Sequence, residues 1–154
     1  NCIIPTNIYG DNDNYQLEDS HVIPGLIHRC YLAKQDGKPF VVRGTGKVLR
    51  QFIHAEDLAR VIMHLLPVLH QDMVIVADDQ TEVTIRQVAT LIAQQFDYVD
   101  HVAFDAKYSD GQHKKTADNS KLKSMLPEVQ FRPLKQGIQQ TVKHFIENYD
   151  TIRK

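Results

Sequence analysis

The chain opens on apolar residues at Cys2, Ile3 and Ile4 that run into Pro5-Thr6-Asn7 and then Gly10. A short continuous apolar run bounded by turn residues reads as the end of a buried strand entering a loop. The period then changes: Ile23, Leu26, Ile27 and Cys30, with Tyr31 beside them, fall on one helical stripe over 22–33. Pro24 fits its first turn, Asp19 or Ser20 is placed to cap it, and Asp36-Gly37-Lys38-Pro39 ends it. A strand starts at Phe40-Val41-Val42, Gly44-Thr45-Gly46 is a turn, and 49–53 reads as extended. A second helix begins near Ala55, with Leu58, Val61, Ile62, Leu65 and Leu66 inward. The run 73–77 is uninterruptedly apolar, as in a parallel strand covered on both faces. Thr84 and Gln87 have capping-box spacing ahead of a helix whose core face is Ile85, Val88, Leu91, Ile92 and Phe96. A strand over 102–104 follows, then a short helix capped by Asp118 or Asn119 and carrying Leu122 and Leu126. Pro133 opens the last helix, with Leu134, Ile138, Val142, Phe145, Ile146 and Tyr149 inward. Strands alternating with helices predict an α/β fold.

Composition narrows the function classes. The 154 residues fit one ordinary domain, and 42% hydrophobic content suffices for a core. A net charge of -1 gives no electrostatic case for nucleic acid or an anionic membrane surface. No apolar run reaches membrane-spanning length, and no signal peptide opens the chain. Two cysteines, Cys2 and Cys30, make no disulfide framework, which predicts a reducing cytoplasm.

Several side chains can carry chemistry. His21 precedes the first helical stripe; from position alone it is either a locally hydrogen-bonded loop residue or an acid/base near neutral pH. Arg29 and Arg50 can bind phosphate oxygens through paired hydrogen bonds, or Arg29 is a solvated helix charge. Arg43 can stack through its planar face. Asp110, in Ser109-Asp110-Gly111-Gln112, can accept from sugar hydroxyls or simply shape a turn. His54 reads as a strand-to-helix junction residue, and His54, His64 and His70 lack partners at metal-ligand spacing.

Three segments taken together resemble the extended short-chain dehydrogenase/reductase family, in particular its GDP-sugar epimerase/reductases. They are Pro5-Thr6-Asn7-Ile8-Tyr9-Gly10 with His21-Val22-Ile23-Pro24; Arg50-Gln51-Phe52-Ile53-His54 with Asp57-Leu58-Ala59; and Ser109-Asp110-Gly111-Gln112 with Lys114-Lys115-Thr116. The resemblance covers essentially the whole chain. It implies NADP(H) as cofactor, held at Pro5, Thr6, Asn7, Ile8 and His21. It implies a GDP-sugar substrate held at Asn7, Val22, Arg29, Val42, Arg43, Arg50 and Asp110, with His21 as catalytic acid/base. The reaction implied is inversion of the two carbons flanking a sugar ketone, then reduction of that ketone by hydride. Two departures stand out: Asp11-Asn12 replaces a proline-histidine pair, and Arg43 replaces a tryptophan. No Gly-x-x-Gly-x-x-Gly turn and no Tyr-x-x-x-Lys pair occurs here. By resemblance this is therefore the C-terminal half of a two-domain enzyme, inactive alone, whose missing N-terminal domain carries those groups and a partner cysteine. Residues 1–10 and about 53–78 would be Rossmann-type sheet remnants; about 11–52 and 79–154 would form a small α/β substrate domain. Strands left without neighbours predict that the chain, if isolated, pairs with another copy as a homodimer or keeps an N-terminal piece. The rivals are another nucleotide-sugar epimerase, dehydratase or reductase, and a non-catalytic nucleotide-sugar-binding module.

Overall fold

The computed structural model describes residues 1–70 and 72–154. The first surprise is at the Pro-Thr-Asn segment. It is not a turn into a loop but a bend between two strands, β1 (Cys2–Pro5) and β2 (Asn7–Tyr9). Thr6 donates its N–H to Val76 O, and Asn7 donates to Gln51 O, so consecutive residues join different partners. Proline can sit at such a strand end because it has no ladder N–H to lose.

Helix α1 (Val22–Asp36) runs three residues beyond the predicted stripe and ends on Gly37. Its N-cap is His21, whose side chain makes no capping bond; neither Asp19 nor Ser20 caps it, which corrects the sequence expectation. Next come β3 (Phe40–Arg43), β4 (Leu49–Arg50), β5 (Phe52–His54) and α2 (Ala55–Leu65). The chain continues through β6 (Met73–Val76), β7 (Val83–Thr84), α3 (Ile85–Gln95) and β8 (Val102–Asp105). It closes with α4 (Ser120–Met125) and α5 (Leu134–Glu147). Strand pairs β1–β6, β2–β5 and β3–β8 are parallel, and β4–β7 is antiparallel. The α/β expectation is met. Short β7 was not legible, because a two-residue strand has no period.

Two apolar cores form. One gathers α1, β3, α3 and α5 around Ile27, Phe40, Ile92, Ile138 and Phe145. The other lies under β1 and β6, where Val74 and Val76 meet Leu58, Val61 and Leu65 of α2 and Leu122 of α4. Leu66 is exposed because it follows buried Leu65 by one position, about 100° around the helix; Ile146 is exposed beside Phe145 for the same reason. Both had been expected inward. The capping box at Thr84 and Gln87 is complete. At α4, Asp118 accepts from Ser120 N–H (2.8 Å), while Asn119 is the N-cap residue and spends its amide on Ala77 O (2.9 Å).

Among the described residues no helix is long and apolar enough to cross a membrane, and no cluster of three or more His, Cys, Asp or Glu is arranged to hold a metal.

Candidate functional site

A cleft of about 250 Å³ opens between the start of α1, the end of β3, β4 and the loop after β8. It is lined by His21, Val22, Arg29, Val42, Arg43, Arg50 and Asp110. Seven of the residues singled out from sequence thus converge from four separate parts of the chain. A second cleft, about 370 Å³, is lined by Ile8, Gly10, Asp11, Asp13, His54 and Glu56, and also by His21. His21 lies where the two adjoin.

Each wall is fixed by identifiable contacts. Arg29, on α1, donates from Nη2 to Leu17 O (2.7 Å), which ties the helix to the loop before it. Burial, and then the Arg43 guanidinium nearby, lower the proton affinity of Arg29. Like charges facing one another favour an anion between them. Arg50 donates to its neighbour Leu49 O (2.7 Å). Arg43 lies over the Tyr108 ring, 4.9 Å from its centroid, a cation–π contact.

Asp110 is anchored more firmly. Its Oδ1 accepts from Thr45 N–H (2.7 Å) and its Oδ2 from the Thr45 hydroxyl (2.6 Å). The hydroxyl, then the amide, hold this carboxyl below the ordinary aspartate range. Gly44, at φ +90, makes the approach feasible: a Cβ there would sit 2.4 Å from Asp110 Oδ1. The turn at Gly44-Thr45-Gly46 is therefore a carboxylate latch rather than a phosphate cradle.

Of the remaining predicted residues, Pro5, Thr6 and Asn7 line neither cleft. Asn7 donates its amide to Gln51 O (2.7 Å), a structural bond across β2 and β5. Ile8 lines the second cleft and is half-exposed. Thr6 carries a buried hydroxyl with no hydrogen-bond partner among the described residues, and Pro5 ends β1. His21 is exposed, with Nδ1 3.6 Å from Asp13 Oδ1. His54 is a junction residue as expected: it is buried, and its Nδ1 accepts from Glu56 N–H (3.3 Å) to cap α2. Its Nε2 then carries the hydrogen in the neutral ring, so the Arg132 guanidinium 3.4 Å away is a close cation and not a donor to it. Burial and then Arg132 lower the His54 proton affinity.

Sequence reasoning missed the residues that hold the site together. Buried Gln51 accepts from Ala117 N–H (2.7 Å) and offers its carbonyl to Asn7, joining the late loop to β2. Arg132 donates to Glu56 (2.5 Å) and to Gln140, and its N–H donates to buried Asp57 (2.8 Å). Gln140 in turn donates to Asp11 (3.1 Å), so the loop that departs from the family pattern is tied to α5. Only pairing across long sequence separation reveals these roles.

Residues 1–77 match the NAD dependent epimerase/dehydratase family. The chain belongs to that family. The relationship extends beyond the matched half. Over 154 residues the chain is 44% identical to a GDP-L-fucose synthase of Dictyostelium discoideum, covering 99% of this chain and 48% of that protein. The crystal structure of a GDP-L-fucose synthetase from Naegleria fowleri bound to NADP superposes at a TM-score of 0.95, with 41% identity over 99% of this chain and 48% of that one. A UDP-glucose 4-epimerase from Thermotoga maritima superposes at 0.80 with 16% identity, covering 96% of this chain and 46% of that one, which speaks for the fold alone. The chain spans about half the length of the curated relatives it matches. The epimerase family's α/β architecture is thus the setting for both clefts.

Proposed function

We propose that this chain is the C-terminal half of an enzyme that converts GDP-4-keto-6-deoxy-D-mannose to GDP-L-fucose. The observation that carries the reading is the single cleft that unites His21 with three arginines and a latched aspartate. The relatives' names supply the substrate class, and the chemistry of the lining suits it. Arg29 and Arg50, with Arg43 between them and Tyr108, oppose the negative charges of a diphosphate. Val22 and Val42 offer apolar walls to the sugar's 6-methyl face. Asp110 keeps free lone pairs beyond its two Thr45 bonds and can accept from a sugar hydroxyl.

Inversion beside a ketone removes a proton from one face and returns one to the other. An imidazole does either near neutral pH, and His21 is the exposed imidazole of the cleft. Its opposite number is a group outside this chain. The residues of this segment fit a nicotinamide: Ile8 offers apolar surface to the second cleft, and two positions earlier in the chain the buried Thr6 hydroxyl is an orphaned polar atom. Pro5, Thr6, Asn7, Ile8 and His21 would hold NADPH, which when bound supplies the hydride for reduction of the ketone. Residues 1–10 and about 53–78 then belong to the nucleotide-binding sheet. The core under β1 and β6 supports that division but also draws in α4, which the sequence reading had placed with the substrate domain. The free thiols, Cys2 exposed and Cys30 buried, fit the cytoplasm, and the exposed Ile4 and Met73 on the β1–β6 face fit a homodimer.

The test joins this chain to its preceding half and follows the conversion with NADPH. The whole protein forms GDP-L-fucose, and this chain alone does not. In the whole protein, His21→Gln stops solvent deuterium entering the sugar carbons beside the ketone, and Arg50→Ala weakens GDP binding by roughly tenfold or more. Full deuterium exchange in His21→Gln would sink the assignment.

A further inference from the structure

Two histidines occupy the same position in this fold, the N-cap of a helix, and only one of them caps. His54 closes α2 with its Nδ1 on Glu56 N–H. His21, at the head of α1, makes no capping bond with its ring. Its Nδ1 faces Asp13 instead. The ring is exposed and the carboxylate is not: their side chains are 77% and 16% accessible. An exposed imidazole therefore meets a largely covered carboxylate.

The anion is fixed by its loop. Asp13 donates its N–H to Gly10 O (3.4 Å), and its Oδ1 accepts from Asn14 N–H (2.7 Å). Tyr15, fully buried, reaches back with its hydroxyl to Asp11 O (3.2 Å). Asn14 spends its amide on Asp19 O (3.4 Å), just ahead of His21. At 3.6 Å the Asp13–His21 pair is at ion-pair range and longer than a hydrogen bond. Catalytic hydrogen bonds are often long before ligand arrives.

We propose that Asp13 is the positioning residue of His21: its carboxylate holds the neutral imidazole as the Nδ1–H tautomer and leaves the Nε2 lone pair for the ligand. A carboxylate only accepts, so the ring nitrogen facing it must carry the hydrogen. Nε2 makes no hydrogen bond among the described residues. When Nε2 takes a proton, the imidazolium formed faces Asp13, and the same pair holds the ring while that proton is given back. The other charged groups of the two clefts are Asp11 and Glu56 beside His54 on one side, and Arg29, Arg43, Arg50 and Asp110 on the other. None of these makes a hydrogen bond or ion pair with the imidazole among the described residues. This inference rests on the reading of His21 as the proton-transfer group.

The experiment is 15N NMR of the histidine side chains of this chain at about pH 8, where a free imidazole is neutral. His21→Gln identifies the His21 signals. In the unaltered chain, the Nδ1 of His21 shows the shift of a protonated ring nitrogen and Nε2 that of a bare one. In Asp13→Ala the ring reverts to the Nε2–H form, while the His28 signals stay in place and report an intact fold. Asp13→Asn keeps an acceptor for Asn14 N–H but loses the charge, and gives a partial reversion; it decides the matter if the alanine variant disturbs the loop. A predominantly Nε2–H ring in the unaltered chain, or no change on removing the charge, overturns the proposal. In the whole enzyme, Asp13→Asn lowers kcat for deuterium exchange by at least about tenfold with KM held. Full exchange in His21→Gln would remove the catalytic reading and leave the tautomer result standing, so the two failures are distinguishable.

Discussion

At the scale of single residues, three histidines show how environment assigns a role to one side chain. His21 is exposed beside a carboxylate, His54 is a buried cap, and His28 is buried in an aromatic cluster. His28 donates from Nδ1 to Tyr15 O (2.7 Å) and accepts at Nε2 from the Tyr149 hydroxyl (3.2 Å). Burial lowers its proton affinity, as it does for His54. Their folded pKa values lie below 6.5, the value of an unperturbed imidazole, so between the two the unfolded chain binds the extra protons. Stability is then constant above about pH 6.5 and falls as the pH drops below it, by at most about 1.4 kcal/mol per pH unit for each imidazole. Urea unfolding from pH 8 to pH 5 should show that loss. His28→Asn, which keeps a donor for Tyr15 O, should flatten the slope toward that of one proton; an unchanged slope would place the proton uptake elsewhere. A second residue-scale expectation concerns the latch. Gly44→Ala forces a side chain into a positive-φ position and against Asp110. It should cost roughly 1–3 kcal/mol and loosen nucleotide-sugar binding, whereas Thr45→Ala should weaken binding with a smaller loss of stability.

At the scale of elements, most helices were legible because their apolar period is long and their ends carry chemical markers. The Thr84 and Gln87 box is the clearest: both reciprocal bonds form, and Thr84→Ala should lower the thermal midpoint by the equivalent of ~1 kcal/mol. What was not legible was set by tertiary partners. The Pro-Thr-Asn bend reads as a loop entrance, because nothing local shows that Asn7 leaves the β6 side and joins β5. Arg132 is one arginine ahead of a proline, yet it bonds Glu56, 76 positions away. The cleft residues were legible for a different reason. Their types and spacing resembled a known pattern, while their convergence needed the fold. Close approach between elements was equally hidden. Gly137, inside α5, lets the Tyr9 hydroxyl lie where a Cβ would be 2.0 Å away. Gly137→Ala would raise intrinsic helix propensity by about 1 kcal/mol and still destabilise the chain, because Tyr9 is buried between β2 and α5 and has nowhere to retreat. A chemical melt of that variant gives the sign directly.

At the scale of the whole molecule, the β1–β6 pair decides how this chain behaves in solution. Its register sets Cys2 and Ile4 on one face with Met73 and Ile75, and Ile3 on the other with Val74 and Val76. The second face is buried under α2 and α4. The first is not: Ile4 is 42% exposed and Met73 53%. Parallel strands are ordinarily covered on both faces, and the outer edges of both strands also keep unpaired backbone groups. An apolar, hydrogen-bonding surface of this kind associates with whatever matches it. In the enzyme proposed above that match is the preceding half; for the chain alone the expected match is a second copy. Sedimentation velocity should therefore show mass rising with protein concentration. Replacing Ile4 and Met73 together by lysine should return the chain to a monomer without unfolding it, since both side chains point away from the core. Adding the preceding half as a separate polypeptide should compete with self-association and protect Met73 from oxidation. A native chain that stays monomeric at every concentration would mean that this face is stable in water as it stands.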